Sequence, residues 1–114
     1  MYPDATKCPP NIFNMWKPFA MERVTDYNEN TEGLMFILNH LKILCNNDEN
    51  VFDYFTKWIG QMIQFPEIKS IVITLISDEG AGKGSFLKLM SLMLGSSRVF
   101  ETTKPSRDVW GSIN

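Results

Sequence analysis

Ile71-Val72-Ile73-Thr74-Leu75-Ile76-Ser77-Asp78-Glu79-Gly80-Ala81-Gly82-Lys83-Gly84-Ser85-Phe86 is the stretch from which the rest of the chain is read. Its first six residues are apolar or β-branched without polar alternation, which predicts a strand covered on both faces, as in a parallel sheet. Phe86, Leu89, Met90, Met93 and Leu94 then recur at the spacing of one helical face, so a helix is expected from about Gly84 to Leu94. A glycine-rich turn with one lysine between such a strand and such a helix is the arrangement of a phosphate-cradling loop, the Walker A type. Gly80, Gly82 and Gly84 permit backbone conformations and close approaches that a Cβ forbids. Backbone N–H groups can then point at phosphate oxygens, with the positive end of the helix macrodipole behind them. Lys83 is the candidate catalytic residue, a point charge against the β- and γ-phosphates. The candidate nucleotide-binding residues are Glu79, Gly80, Ala81, Gly82, Lys83, Gly84 and Ser85, and the expected ligands are ATP and Mg²⁺.

Two positions depart from the strict G-x-x-x-x-G-K-[ST] pattern. Ser77 stands where the first glycine belongs, and Gly84 stands where the hydroxyl belongs. Ser85, one residue later, is the candidate Mg²⁺ ligand, and this late hydroxyl is similar to that of adenylate-kinase-like loops. A plain glycine-rich connection with a solvated lysine is the other reading of these residues. The apolar run before and the amphipathic run after favour the phosphate loop, because such a motif is confirmed by context.

The chain has 114 residues, 44% hydrophobic and 12% aromatic, which suits one small domain with a core and excludes a disordered segment. Its net charge is −2, so no global charge argument for nucleic acid exists. Cys8 and Cys45 are isolated in sequence, which indicates two reduced thiols and neither a zinc site nor a disulfide framework. Met1-Tyr2-Pro3-Asp4 carries no basic segment followed by an apolar run, and the apolar runs are too short for a membrane span. The expectation is a soluble intracellular chain without a membrane partner.

Residues 1–31 read as an extended arm, punctuated by Pro3, Pro9, Pro10 and Pro18, with Phe13, Trp16 and Phe19 pinning it onto the helices after it. Residues 32–66 read as a helical lead-in. Its first helix, 32–46, has Leu34, Ile37, Leu38, Leu41, Leu44 and Cys45 on one face and Thr31 as N-cap. His40 lies inside it; with Ile43 and Leu44 at i+3 and i+4, a structural hydrogen bond is favoured over a metal site. Asn46–Asn50 is a turn and capping cluster, and a second helix runs from about Val51 to Gln64, with Val51, Phe55, Trp58, Ile59, Met62 and Ile63 as its apolar face and the aromatics as core residues. Residues 67–114 read as the start of an ATPase core, with Gly95 stopping the loop's helix and Val99–Thr103 as a second, short strand.

The fold class expected from these signals is α/β: the front portion of a P-loop NTPase, a helical lead-in followed by strand, P-loop and helix, with an incomplete sheet. Lys83 is not followed by an apolar strand ending in Asp or Glu, the second carboxylate that Mg²⁺ and water positioning require. The expectation is therefore nucleotide binding without efficient hydrolysis in this stretch of chain.

The order of these signals resembles a known family. Asn11–Phe19, Leu41 and Lys42, Trp58, Gln64-Phe65-Pro66, the apolar run with Gly80–Ser85, Gly95, and Trp110-Gly111-Ser112-Ile113-Asn114 follow one another as in superfamily 3 helicase domains of viral and phage primase–helicases. That resemblance implies an AAA+-like P-loop NTPase in which Gly80, Gly82, Lys83 and Ser85 bind ATP–Mg²⁺. It also implies a role as the ATP-binding portion of a replicative DNA helicase of a virus or mobile element, a homohexamer acting on single-stranded DNA. The location would then be the host cytoplasm or a viral replication site. Two other readings stand beside it. One is a nucleoside monophosphate kinase, which needs several arginines around two sets of phosphates, whereas the chain has Arg23, Arg98 and Arg107. The other is a catalytically inactive nucleotide-binding module.

Overall fold

The structure, a computed structural model, describes residues 1–78, 80 and 82–111. Helix α1 spans Thr31–Leu44, α2 Glu49–Gln64 and α3 Lys83–Leu94, with short helical turns at Ala5–Lys7, Ala20–Arg23, Ser96–Arg98 and Ser106–Trp110. Helix accounts for 54% and strand for 0%, so no sheet exists among the described residues. The expected α/β fold with a strand–loop–helix unit is therefore overturned.

The physical reason lies in the run Ile71–Ile76. A strand is defined by partners for its N–H and C=O groups, and no neighbouring strand supplies them among the described residues. The run is not covered on two faces either: Ile73 and Leu75 turn towards the core, while Val72 is 90% and Ile76 91% exposed. Its apolar composition conceals an alternating, one-sided burial. Val99–Thr103 likewise forms no strand.

The three helices follow the apolar periodicity. Leu41 and Cys45 at the end of α1, Phe55 and Ile59 from α2, and Phe86 and Met90 from α3 form the buried cluster. The Phe55 ring centroid lies 5.2 Å from that of Phe86 and 6.2 Å from that of Trp58, with the Phe55–Trp58 rings stacked. Burial, and secondarily the Asp48 carboxylate, pushes the Cys45 thiol pKa up, away from reactive thiolate. The radius of gyration is 16.7 Å, larger than the roughly 13 Å of a compact chain near this length. The chain is flat and open, with extents of 49 × 45 × 24 Å.

Capping fixes the helix starts. Asn30, one residue before the expected Thr31, caps α1 by accepting from the Gly33 N–H at 2.9 Å. Between α1 and α2, Asn46 and Asn47 take left-handed φ values of 56° and 55°, which asparagine tolerates better than most residues. Asp48 then caps α2, accepting from the N–H groups of Asn50 and Val51 at 2.9 and 3.2 Å. Asp48→Ala is expected to cost about 1 kcal/mol, read as a lower urea midpoint at unchanged slope.

Trp58 packs against the core cluster, as expected, but at its edge. Its ring is half-buried, and its indole N–H donates to the Ile71 carbonyl at 3.0 Å, tying the extended run to α2. Trp58→Ala is accordingly expected to cost about 2 kcal/mol in urea unfolding, below the roughly 3–5 kcal/mol of a fully buried aromatic ring.

The N-terminal arm is clasped at Arg98, and Lys7 adds an ion pair with Glu67 at 3.8 Å. Arg98 lies 4.5 Å from the Trp16 ring centroid and 5.3 Å from that of buried Phe19, and its guanidinium donates to the Lys17 carbonyl. Trp16 and Phe19 do pin the arm, as expected, whereas Phe13 is 88% exposed. Among the described residues no helix is long and apolar enough to cross a membrane.

Candidate phosphate-binding loop

Gly80 and Gly82 have φ of +81° and +99°, the left-handed region in which a side chain is strained. Gly82 is the N-cap of α3, and its carbonyl accepts the first intrahelical bond, from the Phe86 N–H at 3.2 Å. The N–H groups of Lys83, Gly84 and Ser85 precede that bond, so the helix itself offers them no acceptor. With the macrodipole they form the positive end of a 12-residue helix, whose first turn holds no acidic side chain.

The Lys83 ammonium folds back across the loop and donates to the Ser77 carbonyl at 2.8 Å. It therefore joins the two ends of the loop. A cleft of about 330 Å³ adjoins it, lined by Ser77, Lys83 and Asn46 and by Ile43, Leu44, Leu75 and Ile76. That volume is at the lower end of the range for small-molecule sites. Gly84 and Ser85 are exposed. Of the expected binding residues, Gly80, Gly82, Lys83, Gly84 and Ser85 fall on one loop and one helix start. Glu79 and Ala81 lie outside the described residues, as do Ser112, Ile113 and Asn114.

His40 adds a contact that the sequence did not place at the loop. Its Nε2 is 3.0 Å from the Gly82 carbonyl, across 42 positions of sequence. A Cβ built on Gly82 would sit 2.2 Å from the His40 Cε1. The expected structural hydrogen bond of His40 thus ends on the loop itself. Its partner is not legible in the sequence, because it depends on how α1 and α3 pack.

Two features bear on the remaining candidate chemistry. Arg98 is engaged by the aromatic arm, and Arg107 pairs with Asp108 at 2.6 Å. The Arg107 and Thr102 hydrogen bonds hold the Asp108 carboxyl below its usual range. Among the described residues no group of three His, Cys, Asp or Glu side chains stands ready to hold a metal ion.

No protein-family model, no curated protein and no solved structure matches this chain.

Proposed function

We propose that this chain binds the phosphates of ATP–Mg²⁺ on the Ser77–Ser85 loop, as the ATP-binding portion of a viral or mobile-element replicative DNA helicase. The observation that supports the binding reading is the Lys83 ammonium closed onto the Ser77 carbonyl, beside a helix start whose N-cap has no side-chain cap hydrogen bond among the described residues. Phosphate oxygens would replace that carbonyl as the acceptor of Lys83 and accept from the Lys83, Gly84 and Ser85 N–H groups.

Mg²⁺ is generally held by one or two protein oxygens together with substrate phosphates and water, not by an all-protein cage. The exposed Ser85 hydroxyl in the first turn of α3 fits the role of a single protein ligand. The bound ion would neutralise phosphate charge. Lys83 would stabilise charge developing on the transferred phosphoryl group.

The helicase part of the proposal rests on the order of sequence motifs and draws no support from the all-helical architecture. A module that binds nucleotide without turning it over is the second reading, because no apolar strand ending in Asp or Glu follows Lys83. The kinase reading loses ground, because Arg98 and Arg107 are engaged elsewhere. Steady-state phosphate release with and without single-stranded DNA separates the first two. DNA-stimulated turnover supports the helicase role, and binding without turnover supports the inactive module.

A further inference from the structure

We infer that His40 is a positioning residue for the phosphate loop: from α1 it holds the Gly82 peptide so that the Lys83 N–H points out of the helix start. This inference rests on the phosphate-binding reading of that loop. Its geometry is independent of any ligand. The Gly82 carbonyl accepts twice, from the Phe86 N–H at 3.2 Å and from the His40 Nε2 at 3.0 Å. A carbonyl can only accept, so Nε2 carries the proton. In a trans peptide the C=O and the following N–H point in opposite directions. Fixing the Gly82 carbonyl towards His40 and the helix interior therefore aims the Lys83 N–H outwards, where a phosphate oxygen would meet it.

The same contact accounts for glycine at position 82. Its φ of +99° disfavours a side chain, and the imidazole fills the space that a Cβ would need, 2.2 Å from Cε1 and 2.8 Å from Nε2. The ring is half-buried on α1, whose Leu41 and Cys45 belong to the core cluster. The loop is thus braced from the core rather than left to its own backbone preferences.

The test compares the wild-type chain with His40→Phe, which keeps a ring without the donor, and His40→Gln, which returns an N–H donor. Loss of one neutral hydrogen bond predicts an Mg–ATP Kd raised about tenfold in His40→Phe, and return to within about twofold in His40→Gln. The Lys83 amide resonance of the ligand-free chain should move in His40→Phe and return in His40→Gln. The His40 side-chain ¹⁵N shifts of the wild type should report a protonated Nε2. A merely structural histidine would lower the unfolding midpoint and leave the Kd of the folded chain unchanged. Wild-type binding with an unchanged Kd in His40→Phe, or an unprotonated Nε2, overturns this inference alone. A folded wild-type chain that binds no Mg–ATP overturns the phosphate reading beneath it.

Discussion

Lys83→Ala is expected to weaken Mg–ATP binding by about 10- to 100-fold, the loss of one charge-assisted hydrogen bond of about 1.5–3 kcal/mol. In the ligand-free chain the ammonium has a partner, the Ser77 carbonyl at 2.8 Å. Binding therefore exchanges a neutral acceptor for an anionic one, and the gain is the difference between the two. The fold should not suffer, because Lys83 opens α3 and its hydrogen bond to Ser77 is exposed. Titration with a fluorescent ATP analogue and Mg²⁺, beside urea unfolding of both chains, reads the two quantities separately. Equal affinity in wild type and variant would remove Lys83 from the site.

Phe55→Ala should have the largest effect on stability, about 3–5 kcal/mol, by leaving a cavity between α2 and α3. Phe55 is 3% exposed, the most buried of the core side chains, and touches α3 through Phe86 and its own helix through Trp58. Domains are commonly stable by only about 5–15 kcal/mol, so this loss can remove much of the total. The core is small: Leu41, Cys45, Phe55, Ile59, Phe86 and Met90 make up its main cluster. Urea unfolding followed by tryptophan fluorescence would check it. A midpoint close to that of wild type would mean that the helices are not held together at Phe55.

The helices are legible in the sequence because a helix closes its hydrogen bonds locally and displays its buried face every three to four residues. Spacing alone puts Phe55 and Ile59 of α2, and Phe86, Met90 and Leu94 of α3, on apolar faces, and all are buried. The expected strand fails for the converse reason. Ile71–Ile76 has strand composition, but a strand exists through partners far away in sequence, and these are lacking among the described residues. An unbroken apolar run suggests burial on two faces, whereas Val72 and Ile76 face outwards and Ile73 and Leu75 inwards.

At the loop, the glycines and the lysine are visible in the sequence, and Gly80 and Gly82 do take positive φ. The closure of Lys83 onto Ser77 spans six positions, and the brace from His40 spans 42. Neither contact is legible in the spacing, which places Lys83 against phosphates and His40 in a structural hydrogen bond without naming its partner. The α1 cap falls on Asn30, one residue before the expected Thr31, because Asn and Thr in succession are both competent caps.

The central claim is that phosphates bind at the start of α3. A titration of the ¹⁵N-labelled 114-residue chain with Mg–ATP, followed amide by amide, tests it most directly. The account predicts saturable shifts concentrated at Gly80, Gly82, Lys83, Gly84 and Ser85, displaced to much higher Mg–ATP concentration in Lys83→Ala. Saturable shifts confined to other residues, or a folded chain whose loop amides do not move, would contradict it.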